Sequence, residues 1–297
     1  MNQNSPDIYH VNLAGGLALA WVNSYSATVI RTPGATLLFD PVSLAVPEDA
    51  SLDLIAITHG HSDHWDHPLV TALHQRTRAV VATSRFLASR LPSLTPHAVD
   101  PTSTLAGENR FGSTAHPDPH LQPGAKGEPA AFPSPGSPCG AEKPLPGSVI
   151  ALEPGEWVRV GDVTVAALRC DHAADDPLSF LVRTDDDLVV YLPGDTTPFP
   201  AMSRLPSVPP PSSPSSMKWD GIRAEMHVDI LLWMGTALED GARIARLVQP
   251  KVLVSYAITP PAAGIRAKGL LTRLTPEIPA YTLEPNQVFV YPPEPPV

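Results

Sequence analysis

The sequence predicts an α/β fold in which short strands outnumber helices, and three observations lead there. Apolar, β-branched runs of strand length recur from Leu17 to Tyr291, bounded by Gly, Pro, Asp and Ser. Only three stretches have helical spacing, at 68–76, 84–91 and 238–247. Potential metal ligands stand where the apolar runs end, first as a dense cluster after Ile57 and then singly at His172, Asp195 and Tyr256. Side chains at strand ends are held by a rigid scaffold while the loops around them vary.

Taken in order, Leu17 to Val22 and Ser26 to Ile30 read as strands, and Pro33-Gly34 turns the chain into a third, Ala35 to Phe39. Asp40-Pro41 ends it. Leu52 to Ile57 reads as a buried strand. The helix over 68–76 opens on Pro68 and puts Leu69, Ala72 and Leu73 on one face, with His74 on its surface and His67 capping it or facing solvent. Ala79 to Ala82 is a strand and Ser84 to Leu91 a short helix. Residues 101–148 hold ten prolines and seven glycines with few large apolar side chains. Such a segment buries too little surface to offset its ordering entropy, so it reads as an irregular insertion, with His116 and His120 solvated. Order returns at Val149. Strands follow at Val158 to Val160, Val163 to Leu168, Ser179 to Arg183, Leu188 to Leu192, Val228 to Met234 and Val252 to Tyr256, with the third helix before the last. A Pro/Ser run at 206–216 reads as a loop, and Val288 to Tyr291 as a C-terminal edge strand.

Composition narrows the functional classes. A net charge of −10 disfavours a nucleic-acid surface, which needs concentrated Lys and Arg. Two cysteines, Cys139 and Cys170, make no disulfide framework, which points to an intracellular, cytoplasmic setting. The apolar stretch from Val11 to Val22 is too short to span a bilayer, and no Lys or Arg precedes Arg31 to make a secretion signal's basic region. The 37 prolines far exceed the usual share of about 5% and cluster in loops. Nothing in the sequence sets the oligomeric state.

The stretch His59-Gly60-His61-Ser62-Asp63-His64-Trp65-Asp66-His67 sits directly after a buried strand. Four donors within six residues, on a loop, can converge on one point. Imidazoles and carboxylates suit zinc, iron or manganese, and the donors outnumber one tetrahedral shell. A solvated, His-rich turn would not need this spacing.

His59-x-His61-x-Asp63-His64 resembles the signature of the metallo-β-lactamase superfamily. The continuation Trp65-Asp66 is similar to the branch of ascorbate-6-phosphate lactonase-like and N-acyl-phosphatidylethanolamine phospholipase D-like proteins. The resemblance covers nearly the whole chain outside the insertion. It implies one αββα sandwich over 1–297 and a metal-dependent hydrolase acting on an ester, lactone, amide or phosphodiester of a small molecule. It also implies that His59, His61 and His172 form a first metal site, that Asp63 and His64 belong to a second, and that Asp195, in Gly194-Asp195-Thr196, bridges the two. Asp40 would orient the metal loop, or serve only as a turn residue before proline.

The chain departs from the family at Tyr256, where a histidine is usual, and at Tyr25 in the first hairpin. Tyr256 would then serve catalysis as a hydrogen-bond donor to an oxyanion, with Asp63 orienting and deprotonating water. One tightly held zinc and a weak or absent second metal are the expectation. Two rivals arise from the same residues. One is a non-catalytic member that binds a metal or ligand, which the Tyr256 substitution favours; the other is an iron-dependent oxygenase on the same scaffold. His227 begins a strand and is expected at the far end from the metals.

Overall fold

The computed structural model describes residues 7–91, 144–205, 227–234, 237–256 and 261–292. Side chains at 261–265 are excluded, and the expectations for the bulk of the insertion, for His116 and His120 and for the 206–216 loop lie outside the described residues.

Among the described residues, fourteen strands form two mixed sheets. The first contains β1 (Leu17–Trp21), β2 (Thr28–Arg31), β3 (Thr36–Phe39), β4 (Leu54–Ala56), β5 (Val80–Ser84) and β6 (Val149–Leu152), with the C-terminal β14 (Val288–Tyr291) as its edge beside β1. The second runs β13 (Ala280–Thr282), β12 (Val252–Tyr256), β11 (Ile230–Met234), β10 (Val189–Leu192), β9 (Leu178–Thr184), β8 (Val163–Arg169) and β7 (Trp157–Val160). Each sheet has an antiparallel part that gives way to a parallel part, at β3–β4 in the first and β10–β11 in the second. The helices are α1 (His67–Thr77), the short α2 (Arg85–Ala88), α3 (Leu238–Val248) and α4 (Pro261–Leu274).

Alternation along the strands builds the layers. Leu17, Leu19 and Trp21 face one side of β1 while Ala18 and Ala20 face the other; Ile230, Leu232 and Met234 are likewise opposed to Leu231 and Trp233 on β11. The first set from each sheet meets in the central core with Phe39, Phe180 and Val254. Val70 and Leu73 of α1 cover the outer face of the first sheet, and Ile244, Ala245 and Leu271 of α3 and α4 cover that of the second. Fully burying each such large side chain stabilises by about 1.5–3 kcal/mol. The result is the expected αββα sandwich.

Several expectations change. His74 is buried, not on the surface: its Nδ1 lies 3.0 Å from the Ala79 carbonyl, which Arg78, in the left-handed conformation at the end of α1, brings back over the last turn. Asp66, not His67, caps α1 by accepting from the Leu69 amide at 3.1 Å, and the exposed His67 stacks on Trp65. α4 and β13 lie where the sequence signals neither helix nor strand. Cys170 is a free, buried cysteine whose thiol burial pushes up to about 12. No helix among the described residues is long and apolar enough to cross a membrane.

Candidate metal centre

β4 ends at Ala56, and one more ladder bond, from the Ile57 amide to the Ala82 carbonyl, holds the chain before it leaves the sheet. Thr58 then anchors the loop that carries the donors. Its amide donates to Asp40 Oδ1 at 2.7 Å, and its Oγ1 lies 3.0 and 2.9 Å from the two Asp40 oxygens. Its carbonyl accepts from the Leu178 amide of β9 at 2.9 Å, so the loop is fixed to both sheets. Ser26 of the first hairpin donates to the Asp63 carbonyl at 2.5 Å.

Asp40 has φ +50 and is buried. It is therefore both the turn residue and the residue that orients the loop. Besides Thr58 it faces His64 Nδ1 at 3.0 Å. A carboxylate there requires Nδ1–H, which orients the ring and turns Nε2 into the site. His64 Nε2 is buried with no hydrogen-bond partner. His59 is arranged alike: with the single Thr58 proton given to Asp40, Thr58 Oγ1 accepts from His59 Nδ1 at 3.0 Å and leaves Nε2 bare.

The other donors come from the second sheet. His172 follows β8 and Asp195 follows β10, where Gly194 takes φ +63, a backbone conformation that costs an L side chain energy. The two loops are joined, since the Asp171 amide donates to Thr196 Oγ1 at 2.7 Å and the Thr197 amide to the Asp171 carbonyl at 2.9 Å. Two groups of donors result. His59 Nε2 lies 3.1 Å from His61 Nδ1, which lies 3.2 Å from His172 Nε2. Asp195 Oδ2 lies 3.4 Å from His64 Nε2, 3.9 Å from His172 Nε2 and 4.0 Å from His59 Nε2. Donors around one tetrahedral zinc with bonds of about 2.0–2.2 Å stand roughly 3.3–3.6 Å apart.

The structure thus brings together His59, His61, His64, His172 and Asp195. Asp63 stands at the rim, half-exposed, with Oδ2 4.0 Å from His64 Nε2 and outside both groups. Tyr256 ends β12 with its side chain buried in the central core. Tyr25 is half-exposed, and His227 is exposed, three residues before β11, and joins no donor group among the described residues.

The electrostatics fit a cation. Burial, then the neighbouring His64, holds His59 down to about 4. Burial also opposes a charge on His64, but the Asp40 and Asp195 carboxylates overcome it and raise His64 to about 10. Burial pushes Asp195 up, yet His64, His59 and His172 bring it below the usual carboxylate value. The site therefore holds its negative charge and draws one proton onto His64, where a metal could take the proton's place. The facing ring nitrogens of His59, His61 and His172, 3.1–3.2 Å apart along the row, stand close to the spacing of donors around one ion. The residues fit a metal.

Residues 18–200 match the family model of the beta-lactamase superfamily domain. The chain belongs to this family. Among proteins of curated function none matches. The metallo-beta-lactamase fold protein YhfI from Bacillus subtilis superposes with a TM-score of 0.57 over 93% of this chain and 99% of its own, at 11% identity. A protein from Parabacteroides distasonis, provisionally named a metal-dependent hydrolase, does so at 0.55 over 91% and 93%, at 16% identity. A variant of the β-hydroxylase CmlA does so at 0.53, at 14% identity, over 94% of this chain but 55% of its own. At these identities the likeness is one of fold.

Within this superfamily fold, the candidate ligands read from the sequence come together except Asp63, at the rim; Asp40 was named as a possible brace, whereas the supporting hydroxyls of Thr58 and Thr196 were not. Thr58 and Thr196 adjoin His59 and Asp195, and a hydroxyl beside a ligand was the available signal. Sequence reasoning also missed the groove next to His61, a cavity of about 500 Å³ lined by Gly60, His61, Phe86, Arg90 and Ala173 to Asp175.

Proposed function

We propose that this chain is a metal-dependent hydrolase of a small-molecule ester, lactone, amide or phosphodiester, in the lactonase- and phospholipase-like branch of its superfamily. The observation that carries the reading is the convergence of four imidazoles and Asp195, with one of the imidazoles, His61, lining an adjoining groove. Zinc suits the three-imidazole group best, with manganese or iron as alternatives.

His59, His61 and His172 would hold the metal, with Asp195 closing the shell. His59 Nε2 belongs to both groups, and one imidazole nitrogen serves one ion, so a second ion would rest on His64, Asp195 and Asp63 alone. When bound, a divalent metal lowers the pKa of water to about 7 and polarises a carbonyl or phosphoryl oxygen. Asp63, at the rim, orients the attacking water and accepts its proton. Asp40 and Thr58 keep the imidazoles aimed. Tyr256 is held far above its ordinary pKa by burial, then by Asp40 and Asp195. It enters as a neutral hydrogen-bond donor, and a neutral phenol is a poor ligand, which leaves the second ion weakly held.

Metal analysis of the dialysed protein, followed by a hydrolysis screen of lactones, thioesters, aryl esters and phosphodiesters with zinc, manganese or iron restored, tests the proposal. One metal per chain and metal-dependent turnover are expected. A protein that retains no metal, or a loaded one inert to every class, refutes it. Two tightly held metals would mean that Tyr256 or an unconsidered residue completes the second shell.

A further inference from the structure

We infer that Arg90 makes the groove beside the metal centre a subsite for an oxyanion, a carboxylate or phosphate group, that the substrate carries away from its scissile bond. This rests on the hydrolase reading and adds the substrate's charge to it.

The groove begins at the metal loop itself, because Gly60 and His61 line it. Gly60 matters by having no side chain: a Cβ there would lie 3.2 Å from Leu87 Cδ2, tight against the α2 wall. Phe86 gives that wall an apolar face. Arg90, just past α2, lays its guanidinium over the Phe86 ring at 4.3 Å from the centroid. Stacking restrains the guanidinium plane and leaves its edge N–H groups free, the geometry that suits an oxyanion.

The contrast with Arg85, at the start of α2, supports a ligand role. Arg85 Nε is paired with Glu153 Oε1 at 2.9 Å. Arg90 has no carboxylate partner among the described residues, although the chain has ten more acidic than basic residues. Asp175 also lines the groove, and its carboxylate disfavours an anion beside it, which leaves Arg90 as the lining residue that attracts one. An aryl or alkyl group next to Phe86, ending in one oxyanion, fits this arrangement; a neutral or cationic substrate leaves Arg90 unmatched.

Calorimetric titration of the metal-loaded full chain with phenylacetate, phenylphosphonate and phenylacetamide tests this without needing turnover. The two anions should bind more tightly than the amide. In Arg90→Gln their affinity should fall roughly tenfold or more, the usual scale for a hydrogen-bonded charge, while the amide is unchanged. Arg90→Lys should restore part of it, and Asp175→Asn should tighten both anions. Whichever anion depends more on Arg90 identifies the group. Anions that bind Arg90→Gln as well as the natural protein are held by the metal alone, and that result overturns the subsite, as does absence of measurable anion binding. Each variant's thermal unfolding is measured alongside; because Arg90 and Asp175 are both exposed, it should not change. Hydrolysis in the substrate screen with anion-blind binding sinks the subsite alone, whereas Arg90-dependent binding without hydrolysis of any class sinks the hydrolase reading.

Discussion

Asp40 and Asp195 occupy matching places in the two sheets, each just past the strand where antiparallel pairing gives way to parallel, β3 in one and β10 in the other. Their environments differ. Asp40 is buried behind the metal loop and spends its oxygens on Thr58 and His64. Asp195 is about one-fifth exposed and turns one oxygen toward three imidazoles. The same topological position thus supplies a brace in one half and, in the other, a carboxylate aimed into the imidazole cluster. The halves divide in another way as well. The first provides its donors from one contiguous loop; the second provides His172 and Asp195 from separate strand ends, joined by Thr196 and Thr197.

The largest effects should come from the second half's donors. Asp195→Ala should remove hydrolysis by roughly 10³-fold or more, the several kcal/mol a metal contributes to a transition state, and His172→Ala should lose the tightly held metal on dialysis. If either variant keeps full metal content and rate, the comparison fails. Asp40→Asn should do less, lowering metal affinity or rate by about 10- to 100-fold, as expected for a partner behind a ligand; a loss equal to that of Asp195→Ala would show that no division of roles exists.

In metal-free protein, pH separates the two buried imidazoles, His64 and His59. His64 is raised in the folded state to about 10, so it binds more protons folded than unfolded between about 6.5 and 10, and stability from it falls as pH rises through that window. His59 is lowered to about 4, so stability from it falls as pH drops from about 6.5 towards 4. Chelated protein should unfold at its highest temperature near pH 6.5. Asp40→Asn should flatten the alkaline arm, and a profile identical to the parent's would contradict the assignment of Asp40 as the main attraction on His64.

The smallest effect belongs to the far end of the sandwich. Gly161 takes φ +53, and a Cβ there would lie 2.3 Å from the Gly34 carbonyl oxygen. Gly161→Ala should cost about 1–3 kcal/mol by chemical unfolding, with metal content unchanged. Altered metal affinity would show that the two ends are coupled.

What was legible depended on how local each signal was. His59 to His64 stand in one loop after one strand, and their spacing alone implied a common target. The alternation of Leu17 to Trp21 or Val252 to Tyr256 marked strands for the same reason. The status of Asp40 could not be read, because a turn aspartate and a bracing aspartate look alike until Thr58 and His64 come into contact with it. His74 depended on the left-handed turn at Arg78. α4 includes Gly264 and Gly269, which weaken a helical signal, and β13 is three residues long and exists through its parallel pairing with β12. Arg90 carried no signal, since its meaning lies in a ring four residues before it and a loop more than eighty residues after it.

The turn at Gly161-Asp162 has a consequence for how such a protein can change. Asp162 accepts from Thr32 Oγ1 at 2.5 Å and from the Gly34 amide at 3.0 Å, clasping the tips of two hairpins, one from each sheet. β3 and β8 both start at this clasp and run from it to the end that carries the imidazole and carboxylate cluster. A pair of tongs fastened at its pivot keeps its alignment whatever is fitted to its jaws. Loops at the open end can lengthen, shorten or trade sequence while the register of the two sheets stays set from behind, so that new substrates can be accommodated without rebuilding the frame.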